Sequence, residues 1–253
     1  MKIVTWNVNS IKARKEHVEK FLADHSPDVL MIQELKGLDF PAEDFKERGY
    51  HTLFKGQKAY NGVAVFSKSE ATLITDTLPG MEEDEQARYI EIDVDGIRMI
   101  NIYAPNGNPI PGPKFNYKLD WLNKLYDRLA ALRAENIDFL IGGDFNIIPE
   151  DQDVHNPKAW LNDALFQPES RALYKRFINL GLYDALRIFS QRDKEYTFWD
   201  YTGGAFPANK GIRIDHFLLS PAITDRCTAC YIDTAPRGWE RPSDHTSLIL
   251  EIN

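Results

Sequence analysis

The stretch Phe139-Leu140-Ile141-Gly142-Gly143-Asp144-Phe145-Asn146 decides how the rest of the chain is read. Its first three residues form a short, uninterrupted apolar run, as expected of a strand covered on both faces. It then ends in an acid and an amide. Asp144 and Asn146 are two apart, so in extended backbone they point the same way while Phe145 turns into the core. Other apolar runs finish in the same manner. Ile3-Val4-Thr5-Trp6 leads to Asn7, Val29–Ile32 to Gln33-Glu34, Ile100-Asn101-Ile102 to Tyr103 and Ile212-Arg213-Ile214 to Asp215, while Ser243-Asp244-His245 precedes the last strand. A single polar strand end means little, because a Tyr or Asn there is usually a turn or edge residue. Six such clusters predict a common cleft with several carboxylates, two amides, a phenol and an imidazole. Asp244 and His245 are adjacent and should point apart, so His245 needs another carboxylate to orient it. Asp215 is the natural candidate.

Strand-like and helix-like segments alternate around these points, with no repeat and no low-complexity tract. Ser10 is placed to cap a helix carrying Ile11, Val18, Phe21 and Leu22 on one face. Val63–Phe66 and Phe217–Leu219 read as further buried strands, and Asp95-Gly96 as the hairpin turn between Tyr89–Val94 and Ile97–Tyr103. The clearest helix covers about Lys114–Glu135, and a shorter one follows Pro168. The pattern predicts one mixed α/β domain over residues 1–253, with helices outside central sheets. Two loops are candidates for binding: Ala104–Pro113, with four prolines, and Asp151–Gln167, which is long, polar and bears a tryptophan.

The composition, 43% hydrophobic and 27% charged, is that of an ordinary globular protein. No run approaches the roughly 18 apolar residues of a membrane helix. Met1–Trp6 lacks a basic region followed by a long apolar stretch, so the expectation is a cytoplasmic protein without leader or membrane partner. The two cysteines form a CxxC, Cys227-Thr228-Ala229-Cys230, in a strand-like run where residues three apart face opposite ways; a structural role is expected. The net charge of −8 argues at first against nucleic acid. The excess is regional, however, since residues 76–95 hold eight acids and one base and the rest of the chain 30 acids against 29 bases.

The segments Thr5–Arg14, Gln33-Glu34-Leu35-Lys36, Asn61-Gly62-Val63-Ala64, Tyr103-Ala104-Pro105-Asn106-Gly107, Gly143–Asn146, Tyr196-Thr197-Phe198-Trp199, Arg213-Ile214-Asp215 and Ser243-Asp244-His245 span nearly the whole chain. On them the chain resembles the exonuclease III family of abasic-site endonucleases, within the larger endonuclease/exonuclease/phosphatase superfamily. Gln-Glu, Gly-Asp-Phe-Asn and Ser-Asp-His are shared by the superfamily and imply only phosphoester hydrolysis. Thr5–Arg14, Tyr196–Trp199 and Asn156-Pro157-Lys158…Phe166-Gln167-Pro168-Glu169 resemble the DNA-repair branch. The resemblance implies a deoxyribonuclease-I-like, four-layered α/β sandwich, two mixed β-sheets flanked by helices. It also implies cleavage of DNA 5′ to abasic sites, with 3′→5′ exonuclease and 3′-end-cleaning activity. The expected partner is duplex DNA carrying abasic sites or damaged 3′ ends, and the expected state is a monomer.

Carried over by position, the resemblance makes Glu34 the principal Mg²⁺ ligand, with Asn7 and Asp244 near the metal and Mn²⁺ as a substitute ion. Asp144 activates or positions the attacking water, and Asn146 orients it. Asp215 holds His245, whose cation stabilises transition-state charge, and Tyr103 donates to the phosphate. Phe198, Ile212 and Ile214, with Trp199 beside them, match a small pocket for a flipped, baseless sugar. Asn106, Lys12 and Arg14 are further substrate contacts, and Lys114, Lys118, Lys158 and Lys210 are expected to meet DNA phosphates. The chain departs from the animal branch, which has a tryptophan at Ile212, an arginine at Pro109, an aspartate at Asn9 and a long N-terminal extension. It looks closer to the bacterial type, which leaves open the balance of abasic-site and exonuclease activity. The rivals are a predominantly exonucleolytic enzyme, a phosphatase of lipid or inositol headgroups on the same core, and an inactive DNA-binding paralogue.

Overall fold

The protein is described here over Met1–Asn253 in a computed structural model. Its elements follow one another as β1 (Lys2–Asn7), α1 (Ile11–His25), β2 (Val29–Gln33), α2 (Ala42–Lys46), β3 (His51–Lys55), β4 (Val63–Ser67), β5 (Thr72–Thr75), β6 (Tyr89–Val94), β7 (Ile97–Tyr103) and α3 (Pro113–Ala134). The second half continues with β8 (Phe139–Asp144), α4 (Pro157–Trp160), α5 (Pro168–Asn179), β9 (Tyr183–Asp184), α6 (Ala185–Phe189), β10 (Asp215–Leu219), α7 (Pro221–Arg226), β11 (Cys227–Asp233) and β12 (Ser247–Ile252). Ser10 caps α1, its Oγ accepting from the Ala13 N–H at 3.4 Å. No helix is long and apolar enough to cross a membrane.

Two six-stranded mixed sheets form, in the orders β11-β12-β1-β2-β4-β3 and β5-β6-β7-β8-β10-β9. Their facing surfaces share one core, in which Ile3, Met31 and Val65 meet Ile92, Leu140 and Phe217. The outer face of the first sheet is covered by α1 and α2 through Val18, Phe21 and Phe45. The outer face of the second is covered by α3 and α5 through Leu122, Leu125 and Phe177. Four layers result, because a strand buried on both faces needs a cover on each side.

The position of the site follows from strand direction. Each sheet has one central parallel pair, β1 with β2 and β7 with β8. Parallel neighbours end at the same edge, so Asn7 lies beside Gln33 and Tyr103 beside Asp144. Asp215 opens β10 and does not close a strand, which corrects the sequence reading. Because β10 is antiparallel to β8, its first residue pairs with the last of β8, Asp144, and reaches the same edge. Ile212 itself makes only isolated bridges, to Phe198 and Val154. Gly143 permits the close β7–β8 approach here: its φ is +141°, and a Cβ would come within 2.0 Å of the Ile102 carbonyl oxygen.

The two cysteines do not face opposite ways as strand alternation predicts. A bulge between Cys227 and Ala229 shifts the register, so Cys227 packs partly against the same apolar cluster that buries Cys230. Both thiols are free.

Candidate active site

A cavity of about 240 Å³ opens where the two sheets meet, lined by Glu34, Tyr103, Asn106, Asp144, Asn146, Trp160, Asp163, Leu165, Phe198, Ile212, Ile214, Asp244 and His245. The polar clusters that close separate strands in the sequence thus converge on one opening.

At its centre stands His245, buried between two acids. Its Nδ1 lies 2.8 Å from Asp215 Oδ2, and its Nε2 lies 3.7 Å from Asp144 Oδ2. Burial works against the imidazolium, but Asp215 and Asp144 outweigh it and push the His245 pKa up to about 10. His245 is therefore a cation at neutral pH. The Asp144 pKa is also raised, but for a different reason: burial first, then Asp215 and Glu34, lift it against the pull of His245. A buried carboxyl whose pKa is raised towards neutrality is suited to accept a proton. The Tyr103 hydroxyl is held far above its usual range by burial and the charges of Glu34 and Asp144, so it stays a donor.

Glu34 is ionised: burial opposes the charge, but Lys36 and Asn7 hold its pKa below the ordinary value. Lys36 Nζ sits 2.7 Å from Glu34 Oε2 and also donates to Asn9 Oδ1. Asn7 Nδ2 donates to both Glu34 Oε1 (2.9 Å) and Asp144 Oδ2 (3.0 Å), and its Oδ1 accepts from the Asn9 N–H. Only this amide orientation satisfies all three partners. Asn7 therefore bridges the two carboxylates through its Nδ2, with its Oδ1 turned to the Asn9 N–H. Ligand atoms of Glu34, Asp144 and His245 lie within 4.8 Å of one another. A protonated imidazole has no lone pair to give, which leaves carboxylate oxygens as donors. A few hard oxygens and an open cavity fit a small divalent cation that keeps part of its water. Asp244 stands outside this cluster, its Oδ1 accepting from Asn9 Nδ2 at 3.0 Å, though it lines the same cavity.

Glu34 and Asn146 both have left-handed backbone, with φ of 59° and 50°. Such conformations cost a non-glycine residue on the order of 1–3 kcal/mol and persist where surrounding contacts fix them. Asn146 shows the fixing contacts. Its N–H donates to Asp144 Oδ1 (2.9 Å), its Nδ2 to the Ala104 carbonyl (2.9 Å), and its Oδ1 accepts from Asn106 (3.3 Å). Behind this pair lies Lys118, a residue expected from the sequence to meet DNA phosphates. It is fully buried, and its Nζ donates to the main-chain carbonyls of Asn106 and Asn146. Burial pulls its pKa down to about 7 against the charges of Asp144 and Asp163. It ties the two amide-bearing loops together and cannot meet a phosphate in solvent. Lys12, Lys114, Lys158 and Lys210 are exposed. Arg14 is engaged locally, donating to the Asn9 and Pro242 carbonyls and to the Tyr201 hydroxyl.

Phe198, Ile212 and Ile214 form one apolar wall of the cavity, and the Phe198 ring stands edge-on to His245 at 5.1 Å. Trp199 does not join them. It is buried in a separate cluster with Tyr196 and Ala205, because neighbours in extended backbone face opposite sides. Trp160, Asp163 and Leu165 also line the cavity, Leu165 and Trp160 in the same apolar cluster as Ile212 and Ile214, and none of the three is marked individually in the sequence. The available signal was the tryptophan in the long polar loop Asp151–Gln167.

Residues 4–245 match the endonuclease/exonuclease/phosphatase family. The chain is 34% identical to exodeoxyribonuclease III of Haemophilus influenzae, each covered in full. Its structure superimposes with a TM-score of 0.97 on the 3′ phosphatase NExo of Neisseria bound to a product DNA hairpin, at 38% identity over 100% of this chain and 99% of that one. An AP endonuclease from Archaeoglobus fulgidus gives a TM-score of 0.96 at 39% identity, with the same coverage.

Proposed function

Because the chain belongs to the endonuclease/exonuclease/phosphatase family, we propose that it is a DNA-repair phosphodiesterase that cleaves duplex DNA 5′ to abasic sites and trims damaged 3′ ends. The observation that carries this reading is the union of a charge-rich hydrolytic edge and a small apolar wall in one cavity. At about 240 Å³ the cavity lies below the roughly 300–1,000 Å³ of sites for larger ligands, a size suited to one sugar. An inositol headgroup, with a hydroxyl on every ring carbon, would find nothing to hydrogen-bond along Phe198, Ile212 and Ile214.

Chemistry follows from the groups present. The scissile phosphate lies against His245 and Tyr103, which donate to its non-bridging oxygens as charge builds in the transition state. Asn146 orients water, and Asp144 takes its proton as the new P–O bond forms in line with the bond that breaks to the 3′ oxygen. Asp215 keeps His245 protonated and aimed. Glu34 would hold a divalent cation, Mg²⁺ by its oxygen ligands, with Asp244 alongside and Asn7 spacing the carboxylates. When bound, the ion supplies positive charge to the phosphate and leaving oxygen.

The test uses a duplex with one synthetic abasic site, with Mg²⁺ and then with chelator. Cleavage 5′ to the site that chelation abolishes is expected; cleavage unaffected by chelator, or none, would sink the reading. Glu34→Ala should lose at least about 100-fold at low Mg²⁺ and regain part of it as the metal is raised. A variant equally inactive at every metal concentration would remove Glu34 from the ligand role.

Pocket substitutions address selectivity. Phe198→Ala should lower abasic-site cleavage and weaken rejection of intact nucleotides, because the wall that excludes a base is lost. Ile212→Trp should shift the balance towards abasic sites and away from exonuclease digestion. Each effect is limited to about 1–3 kcal/mol, the value of one apolar pocket contact. The ratio of the two activities is measured at one salt concentration, since phosphate contacts make binding salt-dependent. A ratio unchanged in both variants would assign these residues to the core alone.

A further inference from the structure

The wall formed by Ile212 and Ile214 has no regular ladder of its own. It lies just before β10, where Ile214 accepts from the Phe145 N–H while Ile212 is joined to Phe198 and Val154 by isolated bridges. The residue between them, Arg213, turns away from the cavity and is buried, only 1% exposed. Its Nε lies 2.7 Å from Asp153 Oδ1 and its second terminal nitrogen 3.2 Å from Asp153 Oδ2, a two-pronged contact. The other terminal nitrogen donates to Asp184 Oδ2 at 2.8 Å and lies 3.0 Å from His216 Nδ1. Tyr174 donates to the same Asp184 oxygen, and Arg187 to Asp153. His216 Nε2 lies 3.1 Å from the Ile147 carbonyl, one residue beyond Asn146. Arg213 thus joins the start of the Asp151–Gln167 loop, β9 and the first turn after β8 to the segment that bears the apolar wall.

Asp144 and Asp215 do not depend on it in the same way. They are held by the β8–β10 ladder, in which residues 140–144 pair with residues 215–219. A guanidinium has a rigid planar fork that a lysine cannot reproduce. The consequence of loosening it therefore falls on the wall before the catalytic acids.

We propose that Arg213 is a positioning residue for substrate selection, holding Ile212 and Ile214 where they admit a baseless sugar and refuse an intact nucleotide. This rests on the abasic-site reading above. Arg213→Lys keeps the charge and loses the fork. It should lower the ratio of abasic-site cleavage to exonuclease digestion about tenfold, through a higher KM on the abasic duplex. Its kcat on the exonuclease duplex should stay within about threefold of wild type. A buried charge left without its partner destabilises a fold, so a second variant removes Arg213 together with the two acids it faces, Arg213→Met, Asp153→Leu and Asp184→Asn, while Arg187 keeps Glu195 as a partner. It should show the same lowered ratio with native circular dichroism. An unchanged ratio in either folded variant overturns the proposal, as does a parallel loss of both activities or a failure of both variants to fold. A wild-type protein that cleaves neither duplex overturns the functional reading itself, a result that no change of ratio imitates.

Discussion

Asp144→Asn is expected to lower abasic-site cleavage by about 10²–10⁴-fold, the usual contribution of a positioned general base. Binding of the abasic duplex should stay close to wild type, because the lost interaction acts on the transition state more than on the ground state. The substitution is nearly isosteric. The amide keeps an oxygen for the Asn146 N–H and loses the capacity to take a proton from water. Its other end then meets Asn7 Nδ2, which now donates to Asp144 Oδ2, so a small shift of Asn7 towards Glu34 should accompany the change. Single-turnover cleavage and equilibrium binding measured on one duplex decide the matter. Binding that falls as far as cleavage would deny Asp144 the proton-accepting role.

The second large effect belongs to the His245–Asp215 pair. His245→Asn should lower turnover by about 10²–10⁴-fold, since the cation facing the phosphate disappears. Asp215→Asn should act in the same direction. The double variant should be scarcely worse than the poorer single, because the two residues work as a unit. The pH dependence separates orientation from charge. In the wild type the neighbouring acids overcome burial and hold the His245 pKa up at about 10, so the cation persists through neutrality. Removing the Asp215 charge lowers that pKa, and the cation is then lost as pH rises through the lower value. The alkaline fall of kcat should therefore move to lower pH in Asp215→Asn. An alkaline limb that stays in place would mean that Asp215 only fixes the ring.

Much of this arrangement is legible in the chain itself, because it depends on neighbours in sequence. Apolar runs such as Val29–Ile32 and Phe139–Ile141 mark strands covered on both faces, and both lie within observed strands. The Ser10 cap and the Asp95-Gly96 turn depend on a few adjacent residues, and both form as expected. Strands β3 and β5 lie at sheet edges, where no side chain is fully buried and the sequence carries little apolar pattern. Residue types at the strand ends were equally plain, since a carboxylate or an amide declares its chemistry wherever it is placed.

Which of these groups meet, and which way they face, was decided by the packing of layers. Asn7 and Asp144 are 137 positions apart and come within hydrogen-bonding distance only because two sheets stack with their parallel pairs ending at one edge. The amide of Asn7 faces inward because two carboxylates are there to receive it. Lys118 reads as a solvent-facing cation on helix α3, yet two carbonyls from different loops draw it into the interior. Trp199, expected beside the pocket, is buried in its own cluster, while Trp160, in the loop expected to bind, faces the cavity. A bulge turns Cys227 towards the face of Cys230, and a shift of that kind leaves no trace in a period of two. The sequence by itself determined the strands, the caps, the turns and the chemical inventory, because each is set by contacts within a few residues. The tertiary structure alone decided the cavity, the charge state of His245 and the burial of Lys118 and Arg213, because each depends on partners that only the packing of distant segments brings near.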